Sequence, residues 1–326
     1  SIQARLKVQD LMLESGALPD GVYYERMMRA CSQKQDPHQA VHLILEIAES
    51  GVTPTPVTLE LLLLLLLGKV RTGNDGEDQS LRVRGVLALW RLSHNNINDP
   101  SGVRCQQVLE MLHSAGAWQN CLEVYQEART SQRDVGQQGF EWVLLACAEA
   151  GQWRQALTVY DDMRQAGHTA RSRSLVALLS TLARASQFSL LLEVFEAAGP
   201  VDRREAGVRA FAIAMRACSQ LRDGRLARWL MQEVHDCGDL APNTRLYNSY
   251  INCIGRSDGW EAAQQAWGEM RASGVSSDVV TFNTLLQVCA REARGGEAAD
   301  LFQRMQDQGL EPDGTTVAAL IHALDK

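Results

Sequence analysis

Val279–Asp313 reads VVTFNTLLQVCAREARGGEAADLFQRMQDQGLEPD, and the 35 residues before it, Thr244–Asp278, read TRLYNSYINCIGRSDGWEAAQQAWGEMRASGVSSD. The two stretches align without a gap. Phe282 falls on Tyr247, Asn283 on Asn248, Ala298 on Ala263, Phe302 on Trp267, Met305 on Met270, Gly309 on Gly274 and Asp313 on Asp278. A fixed period of this length marks a solenoid, in which each unit cannot bury its apolar face alone and does so against its neighbours.

The same frame recurs toward the N-terminus. Units begin at Val208 and Ser172 (36 residues each), then at Gln137, Gly102 and Gly21 (35 each), and a longer unit from Pro56 carries a polar insertion at Arg71–Ser80. The organisation expected is a half repeat over 1–20 and two degenerate repeats over 21–101. Four intermediate repeats follow over 102–243, then two well-matched repeats over 244–313 and an opening helix over 314–326. Ser1–Asp20 looks like the second helix of a hairpin already under way, so the chain is expected to follow a removed leader.

Each unit runs apolar stretch, polar break, amphipathic stretch, then Gly and often Pro-Asp, which is helix, turn, helix, stop. Trp118, Trp153, Phe188 and Trp260 share one register position, and Tyr125, Tyr160, Phe195, Trp267 and Phe302 another, seven residues on. Seven residues are two helical turns, so both aromatics lie on one face and read as inter-repeat core. Ala40, Cys121, Ala156, Ala263 and Ala298 stand between them, small enough for close helix approach. The fold expected is all-α, a right-handed αα-hairpin solenoid of about eight 35-residue repeats, without strands. No C-x-x-C pair occurs among the eight cysteines; Cys31, Cys147, Cys218 and Cys289 share a register position and read as reduced core thiols.

A formal net charge of −7 excludes a generally basic nucleic-acid sleeve, so contact with a polyanion must be local. Of 32 basic residues only four are lysines, which leaves 28 arginines, each a planar fork suited to phosphate, stacking or surface ion pairs. The longest apolar run, Leu59–Leu67, is interrupted by Glu60 and is too short for a bilayer crossing, which takes roughly 20 residues. Leu61–Leu67 is apolar on every helical side. With the insertion read as a mobile loop, a protein partner is expected to cover this helix through residues 1–101, with Leu62 and Leu66 at the contact.

The period, the V-T-F-N and R-L-Y-N openings and the G-L-E-P-D closing resemble pentatricopeptide repeats over essentially the whole chain. The tetratricopeptide array shares the alanine and aromatic positions but lacks the Asn opening and the Asp closing. The resemblance implies one RNA base read per repeat, with the fifth and last residues of a unit at the base edge. It further implies that residue two sandwiches the base and that a basic residue thirteen reaches phosphate. Asn248 with Asp278, and Asn283 with Asp313, match a family pair that favours uracil; Asn243 closes the preceding unit opposite Ala212. Arg245 and Val280 take the sandwiching position, and Arg184, Arg256 and Arg291 the phosphate position. The first units carry Glu25, Glu60 and Glu141 at the reading position, where a carboxylate repels phosphate, and Val176 cannot hydrogen-bond. Asn and Asp are also ordinary helix-cap and turn residues.

Signals for chemistry are missing. His38 and His42 have a metal-capable i, i+4 spacing, but Gln-Ala-Val between them lacks the glutamate of a zinc protease. No Walker loop and no H-x-E with P-C-x-x-C is found, so no catalytic residue, metal or cofactor is expected and the chain does not read as an enzyme. The function that the resemblance implies is an adaptor of organellar RNA metabolism or translation, in mitochondrion or plastid. It binds single-stranded, uracil-containing RNA through its C-terminal half and a protein through its N-terminal half, without membrane insertion. The alternative is a scaffold subunit of a large organellar assembly, which the acidic balance and the leucine helix favour.

Overall fold

The structure, a computed structural model, describes residues 19–34, 36–67, 76–96, 103–238 and 240–325. Among these, 17 α-helices and no strand are found. They follow the sequence period as helix pairs. The pairs are α1 (Gly21–Lys34) and α2 (Pro37–Ser50), α3 (Pro56–Leu67) and α4 (Gly76–Asn96), α5 (Val103–Ser114) and α6 (Trp118–Thr130), α7 (Gly136–Glu149) and α8 (Trp153–Gln165). Then come α9 (Ser172–Arg184) and α10 (Phe188–Ala197), α11 (Pro200–Leu221) and α12 (Gly224–Asp236), α13 (Thr244–Ser257) and α14 (Trp260–Ala272), α15 (Val279–Glu292) and α16 (Gly295–Asp307). The last helix, α17 (Gly314–Leu324), opens a further unit. Residues 1–18, most of the expected half repeat, lie outside the described residues, as does 71–75 of the insertion. From Gly76 onward the expected loop is instead the first turn of α4.

Two compact units emerge, Ser1–Ala150 and Gly151–Lys326. In the first, α1 packs on α3, α2 on α4, and α5 on α7. Gly85 lets α2 and α4 meet: a Cβ there would fall 2.8 Å from Val41 Cγ1. The leucine helix α3 touches α1, α2 and α4, and Leu59, Leu62, Leu63 and Leu65 are buried among them. The expectation of a partner-facing contact at Leu62 is therefore corrected. Leu62 is fully buried in the array, Leu66 is half-buried, and the outward leucine is Leu64, 57% exposed.

In the second unit the first helices α9, α11, α13, α15 and α17 stack on one another in chain order, while α10, α12, α14 and α16 each pack on the two first helices they connect. In this unit, among the described residues, no two second helices make comparable contact, so here the first helices form the inner, tightly packed row. Gly255 permits that approach, because a Cβ there would stand 2.5 Å from Val288 Cγ2 on α15.

The aromatic register works as inter-repeat core. Phe195 meets Phe211 edge-on at 5.2 Å, and Trp267 meets Phe282 at 5.7 Å, each second-helix ring against the fourth residue of the next sequence unit. Tyr125 and Phe140 repeat the pattern in the first unit at 5.8 Å. Ala40, Cys121, Ala156, Ala263 and Ala298 have no exposure at all. All the cysteines but the half-buried Cys237 are buried, and none is in a disulfide; desolvation pushes Cys121, Cys147, Cys253 and Cys289 up to about 12, so these four stay protonated and inert.

One repeat departs from the pattern. Helix α10 stops early, and α11 begins at Pro200, breaks at Gly207 (φ 70°, ψ −177°) and resumes at Val208, where the sequence period starts the unit. Arg203 fills the gap. Its Nη1 donates to the carbonyls of Ala198 (2.7 Å) and Glu196 (3.2 Å) at the open end of α10, while Nε donates to Glu233 Oε1 at 2.9 Å. A buried guanidinium thus does for α10 what a glycine turn does for its neighbours.

Candidate nucleic-acid interface

The last residue of each well-matched unit is the N-cap of the next first helix, and this places it beside the fifth residue of its own unit. Asp278 caps α15: its carboxylate accepts the Thr281 backbone N–H at 2.8 Å, and Asp278 N–H donates to Thr281 Oγ1 at 3.1 Å. Across the repeat joint, Asn248 Nδ2 donates to Asp278 Oδ1 at 2.9 Å, and Thr281 Oγ1 donates to Asn248 Oδ1 at 2.7 Å. An acceptor on one side and a hydroxyl donor on the other leave the amide a single orientation. The next joint repeats it. Asp313 caps α17, Asn283 Nδ2 reaches Asp313 Oδ1 and Oδ2 at 3.1 and 3.2 Å, and Thr316 Oγ1 donates to Asn283 Oδ1 at 2.6 Å.

Each asparagine is 8% exposed. Its second amide N–H is left without a protein partner among the described residues. Both carboxylates sit below their ordinary range. At Asp278 burial opposes ionisation, but hydrogen bonds from Asn248 and from the Thr281 backbone and hydroxyl outweigh it. At Asp313 the Thr316 backbone N–H and hydroxyl lead, with the Asn283 amide adding to them. Capping and amide orientation are therefore one network, and the aspartates do both. The threonines were not singled out from sequence; their signal was the third residue after each closing Asp, the capping-box position.

Other units bring the same two positions together with different chemistry. Thr55 Oγ1 donates to Glu25 Oε2 at 2.7 Å, and Glu25 also pairs with Arg29. At Gly136, where a side chain would otherwise stand, the Gln106 amide occupies the space. Asn243 caps α13 by accepting the Leu246 N–H at 2.9 Å, opposite Ala212, which offers no polar group.

Of the residues expected to sandwich a base, Arg245 and Val280 both stand exposed, Val280 at 56%. Arg256 is half-buried and Arg291 exposed. Burial, then the nearby guanidiniums of Arg256 and Arg222, lower the Arg291 pKa, so the three form a positive row. Arg222 was missed in the sequence because it stands two residues beyond the expected register, where Gln220 sits. Arg184, on α9, donates to Thr181 Oγ1 at 3.1 Å and faces a different part of the inner row.

These features define an αα-hairpin repeat protein whose last two full repeats each carry an Asn–Asp pair across the joint. The model of the PPR repeat family matches residues 242–291 and 277–326, and that of the PPR repeat matches residues 143–168, so these segments carry pentatricopeptide repeats. It is similar to pentatricopeptide repeat-containing protein 10, chloroplastic, of Zea mays, 33% identical over 89 residues, 26% of this chain and 11% of that protein. It is also similar to the mitochondrial 15S rRNA processing factor CCM1 of Eremothecium gossypii, 31% identical over 87 residues, 26% of this chain and 10% of that protein. The chain thus matches only about a tenth of the length of these relatives. Among solved structures, the pentatricopeptide repeat protein PPR10 in complex with an 18-nt psaJ RNA element aligns at 20% identity with a TM-score of 0.48, covering 99% of this chain and 44% of that one. No helix among the described residues is long and apolar enough to cross a membrane.

Proposed function

We propose that this chain is a non-catalytic adaptor that binds single-stranded RNA in organellar RNA metabolism or translation, reading uracils with its last two full repeats. The observation that carries this reading is the matched pair of oriented amides at Asn248 and Asn283, each with one N–H unspent. A donor held in fixed orientation suits a carbonyl on a pyrimidine edge, and the second lone pair of the same amide oxygen suits an adjacent ring N–H. Arg245 and Val280 lie one turn before the two asparagines, where they would sandwich a base, and Arg256 and Arg291 supply positive charge nearby. Asn243 and Arg184 extend the same face toward the preceding repeats. The relatives' names, one chloroplastic and one a mitochondrial rRNA processing factor, support an organellar setting.

The scaffold alternative drew on an open leucine face, and most of that face is internal to the array. Competition binding with oligonucleotides differing at single bases, at fixed low salt, tests the RNA reading. Two adjacent uracils are expected to be preferred, with cytosine tolerated. Asn283→Thr with Asp313 kept is expected to move preference at one base from uracil toward guanine. Equal affinity for all bases, unmoved by the substitution, would show that the asparagines only brace the joints.

A further inference from the structure

Beside the Asn248 joint, on its N-terminal side, α9, α11 and α13 enclose a cavity of about 400 Å³. Arg184, Arg209, Arg216 and Arg245 line it, and no carboxylate does. In a chain with 39 acidic against 32 basic residues, that segregation is unusual. Elsewhere in this unit Arg228 pairs with Asp258, and the half-buried Arg294 with Glu261, Glu292 and Glu297. Arg209, Arg216 and Arg245 make no ion pair with a carboxylate among the described residues. Guanidiniums gathered round one concavity repel each other unless an anion lies between them.

The surroundings say which anion. Arg245 and Ser249 line the cavity from α13 on either side of Asn248, so the cavity adjoins the first oriented amide. Ala212, the fifth residue of its unit, forms part of the wall and Val176 holds that place in the unit before, so neither offers a base a hydrogen bond. A strand laid along the inner row would be gripped here chiefly by its phosphates, with Asn243, Ser180 and Ser249 the neutral polar groups beside the arginines. We infer that this cavity is a sequence-independent phosphate site, with Arg209 and Arg216 on its α11 wall, that anchors the RNA backbone next to the uracil-reading repeats. It rests on the RNA-binding reading above.

The test uses the full chain, with Arg209→Gln/Arg216→Gln and the charge-keeping Arg209→Lys/Arg216→Lys, against uracil-only and adenine-only 20-nucleotide strands over a salt series. Both substituted side chains are exposed, so circular dichroism should show unchanged helix. The glutamine variant is expected to bind both strands roughly tenfold more weakly at low salt, to lose about 0.7 per contact from the slope of log affinity against log salt, and to keep the wild-type uracil-to-adenine ratio. The lysine variant is expected to recover most of the loss. Unchanged affinity and slope would overturn the cavity proposal while leaving the RNA reading intact. A loss confined to one strand would overturn it too, because the arginines would then be reading bases. Tripolyphosphate bound by the wild type and lost in the glutamine variant, with RNA affinity unmoved, would assign the site to small anions instead. Absence of RNA binding by the wild type would remove both readings.

Discussion

Asn283 and Asp313 meet at 3.1 Å across the joint between two repeats, the first within α15 and the second capping α17. The aspartate thus answers to two demands. A cap needs an oxygen that accepts the first free N–H groups of a helix, and the asparagine needs an acceptor for one amide hydrogen. Asp meets both with one carboxylate, and the neighbouring Thr316 completes each.

The two roles separate by substitution. Asp313→Ala removes the cap and should cost about 0.5–2 kcal/mol of stability. Asp313→Asn keeps a competent N-cap, so its stability should stay near that of the wild type. It can turn an N–H toward Asn283, and uracil preference at that base should then weaken in both variants. Urea denaturation with competition binding distinguishes them; equal preference in wild type and Asp313→Asn would show that the carboxylate does not orient the amide.

Thr281→Val and Thr316→Val remove the hydroxyls that donate to Asn248 and Asn283 but leave the backbone N–H groups that the caps accept. Each should cost about 1–3 kcal/mol, the usual cost of leaving a buried acceptor without its donor. Base selectivity should fall more than overall affinity, because phosphate contacts are untouched. A selectivity ratio unchanged in the double variant would contradict the network described here.

Acid sensitivity follows from the depressed carboxylates. Asp278 and Asp313 titrate in the folded chain below their unreacted value of 3.8. A carboxylate with a lowered folded pKa adds stability above the unfolded pKa and loses it as pH falls through the folded one. Both joints should therefore be fully braced at pH 5 and weaken only below pH 3.8. Denaturation midpoints measured from pH 5 down to 2.5 should fall more steeply for the wild type than for Asp278→Ala/Asp313→Ala.

Two backbone positions predict opposite responses. Ala293 ends α15 in the left-handed region at φ 55°, where a Cβ is strained. Ala293→Gly should therefore stabilise by about 1 kcal/mol. Gly255 faces Val288 so closely that Gly255→Ala should destabilise by about 1–3 kcal/mol, with part of the loss recovered when Val288→Ala is added. Thermal melts of the four variants check both, and additivity of the Gly255 and Val288 changes would argue against direct contact.

How much was legible beforehand divides along physical lines. The 35-residue period dictated the helix pairs, because each amphipathic stretch must bury its stripe on the next, and Phe211, Phe282, Ala263 and Ala298 stand where that period puts them. It also marked Asn248, Asp278, Asn283 and Asp313 as a recurring set. What local pattern could not fix was which contacts lie across a joint. The donors from Thr281 and Thr316, the burial of Leu62 where an open face was expected, and the placing of Arg222 beside Arg256 and Arg291 depend on residues about 30 apart or more in the chain. Likewise Arg203 could replace a missing turn of α10 only because Glu233 waits on α12 to neutralise it. Repetition in the sequence sets the elements and their order, since each needs only its own residues and its neighbour's. Tertiary structure decides the partners, since hydrogen bonds and desolvation act through distances that exist only once the hairpins have stacked.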